Sequence, residues 1–435
     1  MLKSRHAHRW GGFASLLAML LAEPLRAEDD LFEQPPVSYS STAPHDAVAR
    51  LEERLASGAV KFTGDDLDIL RQLLKALEVP EASQMVVFSK TSFQIALIHP
   101  GNPRAIYFSD TCYVGWVPGG LMEIASIDPQ LGPVFYHFDP HAQGTVKPRF
   151  TREQDCLRCH GGAFVRDIPA VFSRSIATAR SGQPIYSLGS TVVDDATPFA
   201  ERWGGWFVTG AGPVKHRGNV LGREQDDRLV TDLDFGGSLA ELPASAGPQR
   251  FPVPTSDVVA LLVFEHQCAM QNALTRAALQ CRRILQYQQN LQRDLKETIT
   301  DVPTYDSARR VFDAAAQDVL DHLLFMEEAP LPPGAVATRG PFARQYEASG
   351  PRTKDGHSLR ELDLKQRVFR LRCSPLIGSD YFQQLPPPLK QRVATRLRRV
   401  LETPDSEPRY AYLGASERAQ IRTILAETGI GISQP

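Results

Sequence analysis

The spacing of apolar and polar positions divides most of the chain into a strand-rich, an irregular and a helical stretch. The strand-rich stretch, residues 28–140, opens with helical patterns over residues 47–55 and 65–77, the second with leucines at i, i+3 and i+4 spacing. Short runs rich in Val, Ile, Phe and Tyr then alternate with Pro, Gly, Asn and Asp, which is typical of an antiparallel meander. The predicted strands cover residues 85–88, 94–98, 105–108, 113–117, 121–127 and 134–138.

The other two stretches are irregular and helical, respectively. Residues 141–255 are rich in Gly and Pro, and a long irregular segment inside a compact protein is usually functional. Residues 256–435 begin with a helical pattern over 257–300 that contains neither Pro nor Gly. Further helical patterns cover residues 308–328, 388–403 and 416–428. The predicted class is therefore α+β, with an antiparallel strand-rich N-terminal half, an irregular middle and a helical C-terminal half packing on it.

Residues 1–27 have the organisation of a secretory signal peptide. Three basic residues within the first ten positions precede an apolar run over residues 13–22, and Ala27 is followed by an acidic stretch. A run of this length is too short for a membrane span, which needs about 20 residues. We therefore predict cleavage near Ala27, export, and no integral membrane span in the mature chain.

Composition and charge exclude several classes of protein. Of the 435 residues, 42% are hydrophobic and 23% are charged, which rules out a disordered chain and a multi-span membrane protein. The net charge of −2 disfavours nucleic-acid binding, so no nucleic-acid partner is expected. Six cysteines are too few for a fold that depends on disulfides.

The sharpest chemical signal is the sequence CLRCH at residues 156–160. A CxxCH sequence is the attachment site of c-type haem, in which Cys156 and Cys159 would add to the two vinyl groups of one porphyrin edge. His160, directly after the second cysteine, would then lie under the iron as its proximal axial ligand. At these residue frequencies the motif is expected about 0.002 times by chance, so we predict one covalent haem c.

Two other interpretations of the cysteine pair remain open. In an oxidising compartment Cys156 and Cys159 could form a disulfide or a redox pair, and they could also supply half of a zinc site. A zinc site needs further ligands, and the chain contains no second CxxC sequence. Export favours the haem interpretation, because haem is joined to such thiols outside the cytoplasm.

The distal axial position of the iron has three candidate ligands, and it could also be open. His266 and Met270 lie one turn apart on the apolar stripe of the long predicted helix, so either could face the iron. The alternative for His266 is a core histidine that is satisfied by its neighbours. His216 lies in a loop of the same irregular stretch as the motif, with surface exposure as its alternative.

Two further groups of residues could complete a haem pocket. Trp203 and Trp206 flank two glycines and could wall an apolar pocket or stack on the porphyrin, although core packing beside a tight turn is the favoured alternative. Four arginines could pair with haem propionates or could equally be solvated charges. They are Arg149, Arg152, Arg158 and Arg174.

The motif resembles that of c-type cytochromes, but the chain around it is unlike a small all-helical cytochrome c domain, because a strand-containing stretch precedes the motif. The chain as a whole is similar to a group of large bacterial proteins with one cytochrome c-type motif and no assigned activity. The segments that carry this resemblance are FSKTS (88–92), YVGW (113–116), WGGWFVTG (203–210) and EHQ (265–267). The resemblance covers most of the mature chain and implies haem binding and export, without indicating a substrate.

These observations predict an exported single-haem c-type cytochrome, periplasmic or secreted, that passes single electrons to a redox partner protein. The alternative is a haem enzyme, or a gas or peroxide sensor, whose distal iron position is open. In a third, non-haem alternative the cysteine pair is structural and the protein is a binding or scaffold module.

Overall fold

The structure is a computed structural model that describes residues 32–140, 150–225, 228–230, 236–403 and 407–430. The predicted signal peptide, residues 1–27, lies outside the described residues. Within them, the N-terminal half carries an antiparallel sheet and the C-terminal half is helical, which confirms the predicted α+β class. The described part of the predicted irregular stretch consists of 3-10 turns, one short helix and strands of two to four residues.

The described residues contain eleven strands. They are β1 (Met85–Val87), β2 (Arg104–Phe108), β3 (Cys112–Trp116), β4 (Met122–Asp128), β5 (Gly132–Phe138), β6 (Thr151–Arg152), β7 (Ser173–Ile176), β8 (Ser190–Val193), β9 (Trp206–Phe207), β10 (Arg223–Gln225) and β11 (Arg228–Val230). Seven of them form a central antiparallel sheet in the order β6-β5-β4-β3-β2-β1-β9. The other four form two separate antiparallel pairs, β7 with β8 and β10 with β11.

The same residues contain nine α-helices. They are α1 (Ala47–Ala56), α2 (Asp66–Ala76), α3 (Leu157–His160), α4 (Val258–Asp294), α5 (Asp306–Leu323), α6 (Pro341–Ala348), α7 (Asp380–Gln383), α8 (Pro387–Glu402) and α9 (Ala415–Thr428). The longest, α4, has 37 residues. Among the described residues, no helix has the length and apolarity needed to cross a bilayer.

The central sheet separates two hydrophobic cores. On one face, Phe108, Tyr113, Ala125 and Phe135 form a row across four strands and belong to the same core as the buried N-terminal half of α4. On the other face, residues such as Tyr107 pack with α1 and α2. The sheet is therefore buried on both sides and lies between the N-terminal helices and the helical C-terminal half.

A single serine fixes the start of α4 against the sheet. The Ser256 hydroxyl donates to the carbonyl oxygen of Phe207 in β9 at 2.7 Å and accepts from the Val86 N–H in β1 at 2.8 Å. The next residue, Asp257, caps the helix by accepting from the N–H groups of Val259 and Ala260. The helix thus begins where the sequence predicts, but it ends at Asp294 rather than at residue 300.

The predicted strand over residues 94–98 is wrong. This segment forms turns instead of pairing with a neighbouring strand. The side-chain amide of Gln94 bonds both main-chain groups of Leu121, at 2.7 and 2.9 Å. Turn signals on both sides of the segment, SKTS before it and PG after it, favour a loop over a strand. The short strands β6 and β9, which belong to the predicted irregular stretch, form the two edges of the central sheet.

Candidate haem-attachment site

The CLRCH motif forms one turn of helix at the edge of the central sheet. A 3-10 turn over Gln154–Cys156 follows β6 and leads directly into α3, which ends at His160. Cys156 is half-buried and Cys159 is exposed, and neither forms a disulfide. Because the two cysteines are three positions apart on this turn, their thiols are presented from the same side of the chain. This arrangement leaves both thiols available to one ligand edge.

His160 is oriented by a backbone hydrogen bond that leaves one ring nitrogen open. Nδ1 lies 2.8 Å from the carbonyl oxygen of Ala170, and because a carbonyl only accepts, Nδ1 carries the proton. Nε2 makes no hydrogen bond within the described part of the chain and keeps its lone pair. Metal-binding histidines are oriented in this way, with the second nitrogen donating to a carbonyl or carboxylate.

The environment of His160 keeps the imidazole neutral. Burial lowers the pKa of His160 to about 4, against the opposing effect of its bond to Ala170. The ring lies between Phe135 and Phe172, with both centroids 4.8 Å away, so its plane is held from two sides. A ligand could therefore bind Nε2 near neutral pH without first displacing a proton.

Gly161 allows the chain to leave the motif tightly. A Cβ at this position would lie 2.9 Å from the Leu157 carbonyl oxygen and 3.2 Å from the ring of Phe32. Any larger residue would push α3 away from its packing position. Gly161 therefore has a specific steric reason to follow the motif.

The surroundings of Cys156 argue against a redox-active thiol pair. Burial, followed by the carboxylates of Glu123 and Glu153, raises the pKa of Cys156 to about 12, and Arg104 only partly opposes this. Redox-active CxxC cysteines instead have lowered pKa values, since the thiolate is the attacking form. Cys156 is therefore a protonated thiol at neutral pH, which disfavours the redox-pair interpretation.

An exposed apolar surface lies beside the motif. Six of the ten large apolar side chains that are exposed in the described residues lie in two segments of the chain, residues 93–97 and 164–188. We call this set the apolar rim; its members are Phe93, Ile95, Leu97, Phe164, Tyr186 and Leu188. The sequence predicted a site role for none of the six, in part because Ile95 and Leu97 fall in the wrongly predicted strand.

Contacts connect both parts of the apolar rim, residues 93–97 and residues 164–188, to the motif. Phe164 lies 5.3 Å from Phe172, which packs on His160, and the Arg174 guanidinium lies over the rings of both Phe164 and Tyr186. On the other side, Gln94, within the loop that carries Phe93, Ile95 and Leu97, donates to the Glu123 carboxylate at 3.2 Å. The charge of Glu123 in turn acts on both Cys156 and His160.

His266, the first distal candidate, has both ring nitrogens engaged within the core. Nδ1 donates to the Asp195 carboxylate at 2.9 Å, and Nε2 lies 2.7 Å from the Ser374 hydroxyl. The ring stacks on Phe325 with a centroid distance of 4.2 Å. Burial alone would raise the pKa of Asp195, but the contact with His266 lowers it below its ordinary range. In this arrangement His266 has the role of a satisfied core histidine, and iron ligation would require both contacts to rearrange.

The same three residues have the order of a nucleophile, base and carboxylate, as in a hydrolytic triad. Ser374, however, has no exposed surface, and its hydroxyl also caps the 3-10 turn over Pro375–Gly378 by accepting from the Leu376 N–H. A substrate could not reach this hydroxyl, so we interpret Ser374, His266 and Asp195 as a structural hydrogen-bond chain.

Helix geometry separates the His266 side of α4 from the motif. Glu265 and Asn272, seven positions apart and so on one face, contact the segment after the motif: Asn272 bonds both main-chain groups of Val171, at 2.6 and 3.1 Å. At about 100° per residue, His266 and Met270 point roughly 100° and 140° away from Glu265. Met270 is fully buried in the α4 core. The face of α4 next to the motif therefore carries neither candidate.

His216 is buried rather than exposed. Its ring packs edge-on against Trp203 at 5.5 Å and Phe199 at 6.1 Å, and its Nδ1 accepts from the Gly218 N–H. Burial lowers the pKa of His216 to about 4, so it is neutral at physiological pH. These contacts are with core residues and a neighbouring loop residue, and none of the three is with Cys156 or His160. Its assignment as a distal ligand stays a prediction.

The two tryptophans are core residues that hold the site together. Trp203 is fully buried, and Trp206 donates from Nε1 to the carbonyl oxygen of Arg174 at 2.8 Å. This bond connects β7, which carries Arg174, to strand β9 of the central sheet.

Among the predicted propionate partners, Arg174 has the most suitable position, because it lies at the apolar rim with Nε bonded to Ser190 at 2.5 Å. Arg152 is engaged with the carbonyl oxygens of Tyr39 and Thr42, and Arg158 is exposed beside Asp155. Arg149 lies outside the described residues.

No family model, curated protein or solved structure matches this chain. The described residues also contain no group of three or more His, Cys, Asp or Glu side chains placed to hold a metal ion by themselves. The donor set at the motif, two free thiols and one open imidazole nitrogen, fits a haem whose porphyrin supplies the remaining iron ligands.

Proposed function

We propose that this protein is an exported c-type cytochrome, with one haem attached through Cys156 and Cys159 and with His160 Nε2 as the proximal iron ligand. The observation that carries the proposal is the Nδ1 bond of His160 to Ala170, which leaves Nε2 unprotonated one residue after the second free thiol. A disulfide or redox pair would give no reason for this orientation of His160.

The apolar rim supports the proposal by offering a surface for a porphyrin. Exposed aromatic and aliphatic side chains gathered beside a metal-binding histidine are costly in water and are stabilised when a flat apolar ligand covers them. Arg174, held over Phe164 and Tyr186, can pair with a carboxylate at the edge of such a ligand. The rim would then exclude water from one side of the site.

The proposed activity is one-electron transfer to a redox partner protein in the periplasm or outside the cell. Haem iron supplies the reversible one-electron chemistry when bound. The residues of this chain hold the imidazole in one orientation, keep it deprotonated and shield it between Phe135 and Phe172. Exposed Cys159 places the attachment edge at the surface, within reach of a docking partner.

A second candidate function is a haem enzyme, or a gas or peroxide sensor, with an open distal position. The observation that favours it is the complete hydrogen bonding of His266 together with the burial of Met270 on a different face of α4. If no other side chain reaches the iron, a small ligand could bind there.

Optical spectroscopy of single variants distinguishes these functions. His160→Ala should keep the covalent haem but convert its spectrum to that of an iron without the proximal ligand, whereas His357→Ala, at an exposed surface histidine, should leave the spectrum unchanged. His266→Ala should change the spin state only if His266 is the distal ligand. A wild-type spectrum that shifts with carbon monoxide would support the enzyme or sensor, and one that does not would support electron transfer.

A further inference from the structure

A cavity of about 690 Å³ lies beside the end of β2, three strands away from the strand that packs on His160. Its walls come from the end of β2, the C-terminal end of α2, helix α6 and residues 358–360. Phe108 of β2 lines the cavity, and Phe135 of β5, which packs on His160, lies in the same row across the sheet, so the two sites are three strand spacings, about 14 Å, apart. The volume is in the range of small-molecule sites, which is about 300–1,000 Å³.

One wall of the cavity is aromatic. Phe342 lies 5.5 Å from Phe108 and stacks on Tyr346 at 5.5 Å with an interplanar angle of 28°. The guanidinium of Arg360 continues this wall, 4.8 Å above the Tyr346 ring. Phe342 is only 2% exposed, so the surface open to a flat ligand is that of half-buried Tyr346 with the Arg360 guanidinium beside it.

A buried amide supplies an acceptor at the cavity. Gln267 lines the cavity although only 3% of it is exposed. Its Nε2 donates to the Ser109 carbonyl oxygen at 2.6 Å and to the Tyr113 hydroxyl at 3.0 Å, so both amide hydrogens are used. Oε1 makes no hydrogen bond within the described residues, which leaves it for a ligand donor.

Two cations at the cavity have donors to spare. Arg360 uses one guanidinium nitrogen to pair with Asp110, and its other donors make no hydrogen bond to the described residues. Lys75 lies exposed at the rim of the cavity with no salt bridge in that same part of the chain. A ligand carboxylate or phosphate could bind both cations, and a guanidinium can hold two carboxylates at once.

From this combination we infer that the cavity binds a flat aromatic or heteroaromatic anion that also carries an N–H or O–H donor. The ring would lie against Tyr346, the donor would bond Gln267 Oε1, and the anionic group would bind Arg360 and Lys75. This binding site is independent of haem attachment, because it shares no residue with the motif or the apolar rim.

Indole-3-carboxylate carries all three features and serves as the probe, measured by calorimetric titration of the purified full-length protein. Saturable binding at one site is expected. Ser349→Trp, at an exposed residue lining the cavity, should weaken binding by about tenfold or more because the new indole fills the entrance. Ser57→Trp is the matched control, since Ser57 and Ser349 are both exposed helix C-caps whose hydroxyls bond the carbonyl three residues earlier.

A second ligand tests the role of Gln267. Naphthalene-1-carboxylate lacks the N–H donor and should bind the wild-type protein about tenfold more weakly than the indole compound. In Gln267→Met this difference should disappear. Absence of saturable binding of either compound, or equal affinity in Ser349→Trp and Ser57→Trp, would overturn the proposal.

Discussion

Acid should destabilise the folded protein through His216, and the size of the effect follows from its burial. His216 has no exposed surface, and burial lowers its pKa from the ordinary 6.5 to about 4. The unfolded chain therefore binds a proton at a higher pH than the folded chain. The contribution of neutral His216 to the unfolding free energy is fully present above pH 6.5 and is lost as the pH falls from about 6.5 to about 4.

The magnitude comes from the two pKa values. At 1.36 kcal/mol per pH unit, the difference amounts to about 3 kcal/mol of unfolding free energy. Because the side chain of His216 is fully buried, solvent does not reduce this free-energy difference. His160, whose pKa is lowered to about 4 as well, adds a loss of the same sign in protein without haem. Glu265 and Glu328, whose pKa values burial raises to about 7, act in the opposite sense, because they release protons on unfolding in the same window. The contribution of His216 is therefore the difference between the wild type and a variant that lacks this histidine.

Urea denaturation of haem-free protein at about pH 7.5 and about pH 5 measures the effect. His216→Asn removes the titrating group and keeps an acceptor for the Gly218 N–H, so its change in unfolding free energy between these two pH values should differ from that of the wild type by about 2 kcal/mol, the part of the His216 effect that falls above pH 5. His357→Asn, at an exposed histidine, should keep the pH dependence of the wild type. Equal pH dependence in His216→Asn and the wild type would refute the reasoning, because His216 would then contribute nothing to proton uptake.

Two further predictions concern the packing of α4. Asn272→Ala removes both hydrogen bonds to Val171 and should lower the unfolding free energy by about 1–3 kcal/mol in urea denaturation, whereas the exposed Asn290→Ala should change it little. Arg202→Met leaves Glu265 buried without its 2.7 Å partner and should cost about 3–5 kcal/mol, and adding Glu265→Leu should restore part of this loss. A double variant no more stable than Arg202→Met would contradict the second prediction.

The sequence predicts those parts of the fold whose signal is local. The leucine spacing over residues 65–77 and the unbroken pattern from residue 257 correspond to α2 and α4. The run over residues 94–98 misleads because Ile95 and Leu97 are exposed and the segment is not paired in a sheet, and the Gln94 contacts that hold it involve a residue 27 positions away. Such contacts leave no local periodic signal.

The residues of the candidate site also differ in whether a local sequence signal identifies them. The CLRCH spacing is local, and it identifies Cys156, Cys159 and His160 without a structure. The environment of His266 is not local, because Asp195 and Ser374 lie 71 and 108 positions away in sequence. Apolar-stripe spacing alone cannot distinguish a ligand from a core histidine with two hydrogen-bond partners.

The most direct test of the central proposal is a spectrum of denatured protein. The exported protein, produced with haem-attachment machinery, is unfolded, extracted with acidified acetone and examined for haem that stays with the polypeptide. Wild type should retain one haem per chain, and Cys156→Ala with Cys159→Ala should retain none, while Cys268→Ala, at a buried cysteine of α4, should behave as the wild type. A wild-type polypeptide free of haem after extraction would contradict the proposal.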